Sequence, residues 1–198
     1  MELNSLRLLH CGVIYRDAEN QTKYLHLAWH LELENEDVLP KGWWVLPTAD
    51  EDALEDLATL AERVAEAHND KKIPYAFERA DARISKRNRI YLGKSYGLTC
   101  ASFVALLFEK VGLPLVDLAE WGTGRSEKRI AEDSAVQERL VESLRHKYPE
   151  QAALIQSEVG CARLRSEEIA AASGMSPQPL GIQRAEAGAV IVWRVVAS

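Results

Sequence analysis

The sequence predicts a fold of the α+β class, and three patterns support this prediction. Two apolar runs flank a polar, turn-forming segment near the N-terminus, as the strands of a β-hairpin do. Further along, bulky apolar residues recur every three or four positions in several segments, which is typical of amphipathic helices. The run GAVIVWRVV at 188–196 is rich in β-branched residues and predicts a last strand that joins or flanks the same sheet. Nothing linker-like or repetitive divides the chain, so we expect one domain over 1–198.

The predicted hairpin joins LRLLHCGVIY (6–15) to KYLHLAWHLEL (23–33). Side chains alternate between the two faces of a strand, so the histidines of both runs are expected on one face. A turn centred near Ala18 would set His10 opposite His26, whereas a turn centred near Asn20 would set it opposite His30. The sequence leaves both registers open.

The next segments predict one more strand and most of the helices. KGWWVLP (41–47) is interpreted as a third strand. A helix is expected from about 50 to 68, because its apolar residues form one stripe. These residues are Leu54, Leu57, Leu60, Ala61 and Val64. A second long helix is expected from about 126 to 148, followed by shorter helical pieces through Ala172.

The segment GLTCASFVALLFEKVGLPL (97–115) places a cysteine at the start of an amphipathic helix. Gly112 and Pro114 end this helix, and Thr99 is a suitable N-cap. Cys100 therefore falls in the first turn, where unpaired N–H groups and the helix dipole stabilise a thiolate. This position suits a nucleophile if a base lies nearby. The alternative is a small buried residue with no chemical role.

Composition excludes several classes of function. The net charge of −6 argues against nucleic acid as a partner, and no apolar run approaches the ~18 residues that span a bilayer. The N-terminus lacks the basic and apolar blocks of a secretory signal. Cys11, Cys100 and Cys161 are odd in number and far apart, which favours reduced thiols. We therefore expect a cytoplasmic protein, or one delivered by a route that needs no signal peptide.

Three short motifs occur in a recognisable order, namely HCGVIY at 10–15, YLHLAW at 24–29 and LTCASFVALLF at 98–108. This order resembles the circularly permuted branch of the NlpC/P60 papain-like superfamily, which includes the lecithin:retinol acyltransferase-like proteins. The resemblance implies that Cys100 is the nucleophile, His10 the catalytic base and His26 the third, orienting residue. It also implies a small antiparallel sheet packed on the helix that carries the cysteine. Helical insertions would then lie at about 50–70 and 126–172.

Two features depart from the family pattern. The turn segment DAENQ (17–21) has no glycine, whereas the family hairpin usually turns through a short glycine-containing sequence. Thr99 stands where the family often has Asn or Asp before the cysteine. The first departure affects the choice between His26 and His30, and the second changes only the polar contacts of the N-cap.

The chemistry implied by the resemblance is attack on an amide or ester carbonyl through a thioester intermediate. The protein would be a cysteine-dependent hydrolase or acyltransferase without a cofactor or metal, acting on a peptide, an amide or a lipid ester. A cell-wall-type peptide amide is one such substrate. The Cys100 backbone N–H would meet the oxyanion together with a second donor, for which Tyr91 and Tyr96 are candidates.

Two other functions are compatible with the same residues. Zinc favours His and Cys ligands, which His10, Cys11, His26, His30 and Cys100 would supply, but the chain has no C-x-x-C pair. A papain-like fold can also serve as a binding module without catalysis. Thiol reactivity distinguishes the three, because an activated thiol alkylates rapidly, a zinc-bound thiol is protected and a buried inert thiol does not react.

Overall fold

The computed structural model describes residues 8–37, 41–68 and 72–198, and within these ranges the fold is α+β, as predicted. A three-stranded antiparallel sheet has the order β1-β2-β3, and a separate two-stranded ribbon pairs β4 with β5. The strands are β1 (Val13–Arg16), β2 (Thr22–Trp29), β3 (Glu32–Glu36), β4 (Arg83–Ile84) and β5 (Ile90–Tyr91). Seven helices occur in the described residues: α1 (Glu51–Ala67), α2 (Cys100–Lys110), α3 (Leu118–Trp121), α4 (Glu127–Lys147), α5 (Pro149–Ile155), α6 (Ser166–Ser173) and α7 (Ile182–Val196).

The N-terminal hairpin forms, but in neither of the two predicted registers. Val13 pairs with Leu25, so the turn is centred on position 19, midway between the two predicted centres. The Asp17 carboxylate accepts a hydrogen bond of 2.7 Å from the Gln21 N–H. Asn20 adopts a positive φ of 62°, which asparagine tolerates better than most residues. Side-chain capping thus replaces the glycine that such turns usually need.

The third strand lies elsewhere than predicted. The second strand was expected to run through Leu33, but β2 ends at Trp29 and the chain reverses through Leu31, whose φ is 63°. The following residues pair antiparallel with β2 as β3. The segment KGWWVLP, predicted as a strand, has no regular structure over 41–47. Strand β3 takes the place beside β2 instead, and the Trp43 and Trp44 side chains are both exposed.

The predicted helix at 50–68 is confirmed as α1. The Asp50 side chain caps it by accepting a hydrogen bond of 2.8 Å from the Ala53 N–H. Four of the five stripe residues are buried, and Leu54 is half-buried. The second long helix is also confirmed as α4, with Ser126 as its N-cap.

The sheet packs on α2 through a shared apolar core. Leu25 and Leu27 of β2 are fully buried in the same cluster as Phe103 and Leu107 of α2. This packing brings the N-terminal end of α2 towards the hairpin. The two segments that contain the candidate histidines and the candidate thiol are therefore held by one core.

The C-terminal prediction is wrong: residues 188–196 belong to helix α7 and not to a strand. The buried residues Ile182, Ala185 and Ala189 follow helical spacing, while Ile191 is 61% exposed. A Cβ on Gly188 would lie 2.7 Å from the Ala171 Cβ, so the glycine allows α7 to approach α6 closely. This contact outweighs the weak preference of β-branched residues for strands.

Among the described residues, no helix is both long enough and apolar enough to cross a bilayer.

Candidate active site

Cys100 is the first residue of α2, as the sequence predicts. Thr99 and Ser102 form a reciprocal cap, in which Ser102 N–H donates to Thr99 Oγ1 at 3.1 Å and Thr99 N–H donates to Ser102 Oγ at 2.8 Å. The cap fixes the first turn of the helix. The thiol therefore stands at the positive end of the helix dipole, where a thiolate is stabilised.

The two imidazoles of His10 and His26 are in direct contact. His10 Nε2 lies 2.8 Å from His26 Nδ1, and the rings meet edge to face at 77°. His10 precedes β1, and Gly12 lies between it and the strand. A Cβ at Gly12 would lie only 2.6 Å from the His26 Cβ, so glycine is required for the close approach of the two segments. The predicted pairing of His10 with His26 is present in spite of the different register.

The far nitrogen of His26 faces two carboxylates. Its Nε2 lies 3.6 Å from a Glu34 oxygen and 3.8 Å from a Glu36 oxygen, and it has no closer hydrogen-bond partner in the described residues. Glu34 pairs directly with His26 across β2 and β3, so the strands themselves set this geometry. An N–H at Nε2 therefore points towards negative charge. This arrangement favours the tautomer that leaves Nδ1 free to accept a hydrogen bond from His10.

Electrostatics favour a charged pair of Cys100 and His10. Contact with the Cys11 thiol, together with the His10 imidazole and the Ser166 hydroxyl, holds the pKa of Cys100 well below its usual range, although burial acts in the opposite direction. Burial would lower the pKa of His10, but Cys100 and the carboxylates of Glu34 and Glu36 raise it above the ordinary value. The two shifts favour thiolate and imidazolium together.

His26 stays neutral beside this pair. Burial lowers its pKa, and the positive charge of His10 acts in the same direction. A neutral His26 can accept a hydrogen bond at Nδ1 from the His10 Nε2–H. His26 thus contacts His10 at 2.8 Å through Nδ1, while its Nε2 faces the Glu34 and Glu36 carboxylates at 3.6 and 3.8 Å, beyond hydrogen-bond distance.

Two further residues lie at the thiol: Cys11, which the sequence suggested only as a possible zinc ligand, and Ser166, which it did not single out. Cys11 interacts with the Cys100 sulfur, and this contact, with burial, raises the pKa of Cys11 well above its usual value. Ser166, the first residue of α6, places its Oγ 3.4 Å from the Cys100 Sγ. Strict alternation would turn Cys11 away from the His10 face, but positions 10–12 precede β1 and do not alternate. Nothing in the sequence around Ser166 indicates its proximity to a cysteine 66 positions earlier.

The thiol lines a cleft of about 450 Å³, which is the size of a small-molecule or peptide site. Its lining includes the apolar side chains of Leu8, Leu27, Trp29, Val136 and Leu140. It also includes the charged side chains of Glu132, Arg163, Arg165 and Glu167. His10 lies in the same cleft, so a bound group can reach both the thiol and the base.

Other sequence candidates lie away from the thiol. His30 Nδ1 accepts a hydrogen bond of 3.1 Å from the Tyr75 N–H, and its ring contacts Tyr148. Tyr91 and Tyr96 are exposed and do not line the cleft. His30 is therefore held by packing partners and not by His10.

The metal alternative points to a different set of residues from the one the sequence suggested. In the ranges that the structure describes, one group of three possible ligands has its atoms within 4.8 Å of one another, and it consists of His26, Glu34 and Glu36. It includes neither cysteine nor His30.

No family model, no curated protein and no solved structure matches this chain.

Proposed function

We propose that this protein is a cysteine-dependent hydrolase or acyltransferase that forms a thioester on Cys100 with an amide or ester substrate. The observation that supports this most is the 2.8 Å contact between His10 Nε2 and His26 Nδ1 beside a thiol at a helix N-terminus. A nucleophile, a base and a residue that orients the base form the set used by papain-like enzymes. The order of HCGVIY, YLHLAW and LTCASFVALLF, which resembles the permuted NlpC/P60 branch, supports the same function.

The acylation step uses the thiolate directly. Cys100 Sγ attacks the carbonyl carbon and forms an S–C bond, while the carbonyl electron pair moves to oxygen. The Cys100 backbone N–H, unpaired in the first turn, is placed to stabilise this oxyanion. When the intermediate collapses, the imidazolium of His10 gives its proton to the leaving group.

Deacylation reverses the roles. Neutral His10 takes a proton from water, or from the hydroxyl or amine of another acceptor, which then attacks the thioester. His26 keeps the His10 ring in plane through Nδ1, because its own Nε2 faces Glu34 and Glu36. We place the orienting role on His26 and assign none to His30.

The cleft supports a substrate with both apolar and charged groups. Its apolar lining residues suit an acyl or side-chain group, and its charged lining residues suit polar substituents of a peptide or amide. The segments 50–70 and 126–172 are proposed as helical insertions in a single papain-like domain, and the second contributes the charged lining residues Glu132, Arg163, Arg165 and Glu167.

The first experiment measures the rate of Cys100 alkylation by iodoacetamide against pH. We expect the wild-type profile to have a midpoint well below the ~8.5 of an ordinary thiol. His10→Ala should shift the midpoint upwards, because the thiolate loses its counter-charge. Cys161 is an internal control, since burial raises its pKa to about 12 and it should not react near neutral pH.

A second readout is release of p-nitrophenolate from p-nitrophenyl acetate. Cys100→Ala and His10→Ala should each abolish acyl transfer, and the double variant should be no worse than either, because the two residues act as a unit. His26→Ala should cost less than either. A wild-type alkylation midpoint at ~8.5 with no acyl transfer would instead identify a non-catalytic binding module.

A further inference from the structure

Ser166 contacts the reacting sulfur from a part of the chain that the proposed triad does not use. Its Oγ lies 3.4 Å from Cys100 Sγ, and the residue is only 7% exposed. It also interacts with the Cys11 sulfur. A hydroxyl in this position can donate to a thiolate, since a thiolate only accepts.

The backbone around Ser166 is held firmly. Arg165 N–H donates to Glu168 Oε2 at 3.1 Å, and the Arg125 guanidinium binds both oxygens of Glu168 at 2.8 and 2.6 Å. Arg165 Nε donates to Asp133 Oδ1 at 2.9 Å. These bonds hold the chain on both sides of Ser166, so its Oγ keeps its place beside Sγ while the O–H can still rotate about the C–O bond.

Two helices begin at the thiol. Cys100 is the first residue of α2, and Ser166 is the first residue of α6. The opening turns of both helices leave N–H groups without intrahelical acceptors, and both dipoles place positive charge at the same point. Negative charge on sulfur or on an attached oxygen is stabilised from two directions.

We propose that Ser166 is a catalytic residue whose hydroxyl donates first to the Cys100 thiolate and then to the oxyanion of the tetrahedral intermediate. The inference rests on the proposed function. The oxyanion is bonded to the same carbon as Sγ, so it lies next to the sulfur, within reach of a donor already 3.4 Å from Sγ. Ser166 thus supplies the second donor beside the Cys100 N–H.

The order of events follows from the bonds that form. While Cys100 is a thiolate, the Ser166 O–H points to Sγ. Once the S–C bond forms, the negative charge moves to the carbonyl oxygen and the O–H turns to it. Collapse restores the C=O bond and expels the leaving group with the proton from His10, and no proton leaves Ser166. The contribution of Ser166 to the low pKa of Cys100 agrees with donation to the thiolate.

The test compares two reactions of the same thiol. Alkylation by iodoacetamide creates no oxyanion, whereas acylation by p-nitrophenyl acetate does. Both rates are measured for wild type and Ser166→Ala at a pH above both alkylation midpoints, so that the thiolate is fully formed in each protein. We expect acylation to fall at least about tenfold while alkylation changes by less than about twofold.

Matched variants separate the hydroxyl from the helix. Ser166→Thr keeps the hydroxyl and should restore most of the acylation rate. Ser173→Ala removes a buried hydroxyl from the other end of α6, where it donates to the Ala170 carbonyl at 2.9 Å, and should leave the ratio of the two rates unchanged. Normal alkylation of Ser166→Ala also shows that the fold around Cys100 is intact.

The possible results differ for the two proposals. If both rates fall equally in Ser166→Ala, or if acylation does not fall, the role of Ser166 is overturned. The proposed enzyme is still upheld in that case if the wild-type Cys100 is activated and acylated. A wild-type thiol that is neither activated nor acylated overturns the enzyme itself, and the role of Ser166 with it.

Discussion

The two buried histidines of the predicted second strand, His26 and His30, have different contacts although they are only four positions apart. His26 contacts His10, whereas His30 follows the irregularity between Leu27 and Trp29 that ends the regular pairing of β2. His30 then accepts from the Tyr75 N–H, and burial lowers its pKa. It therefore contributes to packing as a neutral ring.

For His30→Ala we predict a loss of stability without a change of thiol chemistry. The substitution leaves the buried Tyr75 N–H without its acceptor and removes a ring packed on Tyr148, so the free energy of unfolding should fall by about 1–3 kcal/mol. Urea unfolding measures this, and the iodoacetamide profile of Cys100 should keep its midpoint.

The comparison with His26→Ala makes that prediction specific. His26→Ala should disturb the alkylation profile because it removes the partner of His10. If His30→Ala moved the midpoint and His26→Ala did not, the third position of the triad would belong to His30.

Cys11 provides another prediction, since its thiol contacts the Cys100 sulfur. As a donor it stabilises the thiolate, which lowers the pKa of Cys100 and raises its own. Cys11→Ala removes the donor, so the pKa of Cys100 rises and the alkylation midpoint moves to higher pH. The rate at about pH 6 should fall accordingly.

Cys161→Ala serves as the control for this measurement. Cys161 accepts a hydrogen bond from Gln137, and burial raises its pKa to about 12. Its removal should therefore not alter the alkylation profile of Cys100. A Cys11→Ala profile identical to the wild type would show that the Cys11 thiol does not donate to Cys100.

At the level of elements, the sequence predicts those structures whose own periodicity is strong. The stripe of α1 and the apolar face of α2 are readable because burial repeats at helical spacing. Strand β3 is not readable as a separate strand, because Glu32 and Leu33 fall in the run that predicts a single second strand. Its acidic residues Glu32, Glu34 and Glu36 also have a low strand propensity. Their charge is tolerated because β3 is an edge strand, and two of these carboxylates face His26.

Helix α7 shows the opposite error, in which a strong local pattern is misleading. Its valines and isoleucine favour a strand by propensity alone, yet the small residues Ala185, Gly188 and Ala189 form the face that meets α6. Helix packing of this kind depends on a partner outside the segment itself, here the preceding helix α6. Propensity at 188–196 could not reveal it.

At the scale of the whole molecule, the candidate site combines residues that have a local sequence pattern with one that depends on tertiary packing. Cys100, His10 and His26 lie in segments with recognisable local patterns, so the sequence could single them out. Ser166 lies at the thiol on a helix that is anchored by two charged residues from elsewhere in the chain, Arg125 and Asp133. Such an arrangement depends on tertiary packing and leaves no local signal.

The anchor is a buried network centred on Asp133, whose side chain is 1% exposed. Asp133 accepts from Arg163 and Arg165 at 3.0 and 2.9 Å, and Arg125 joins α6 to the same region through Glu168. Desolvated charges of this kind are tolerated only while they are paired. The network therefore ties α4 to the segment that leads into Ser166.

Asp133→Asn should unbalance this network while keeping nearly the same shape. Two buried guanidinium groups lose their shared counter-charge, so we predict that the free energy of unfolding falls by about 3 kcal/mol. Glu142→Gln is the matched control, because its ion pair with Arg145 lies on the same helix but is about half exposed, and should cost less than about 1 kcal/mol. Urea unfolding of both variants gives the comparison. Equal unfolding free energies for the two variants would contradict the anchoring role of Asp133. Because Arg165 directly precedes Ser166, Asp133→Asn should also lower the rate of Cys100 acylation relative to the rate of its alkylation.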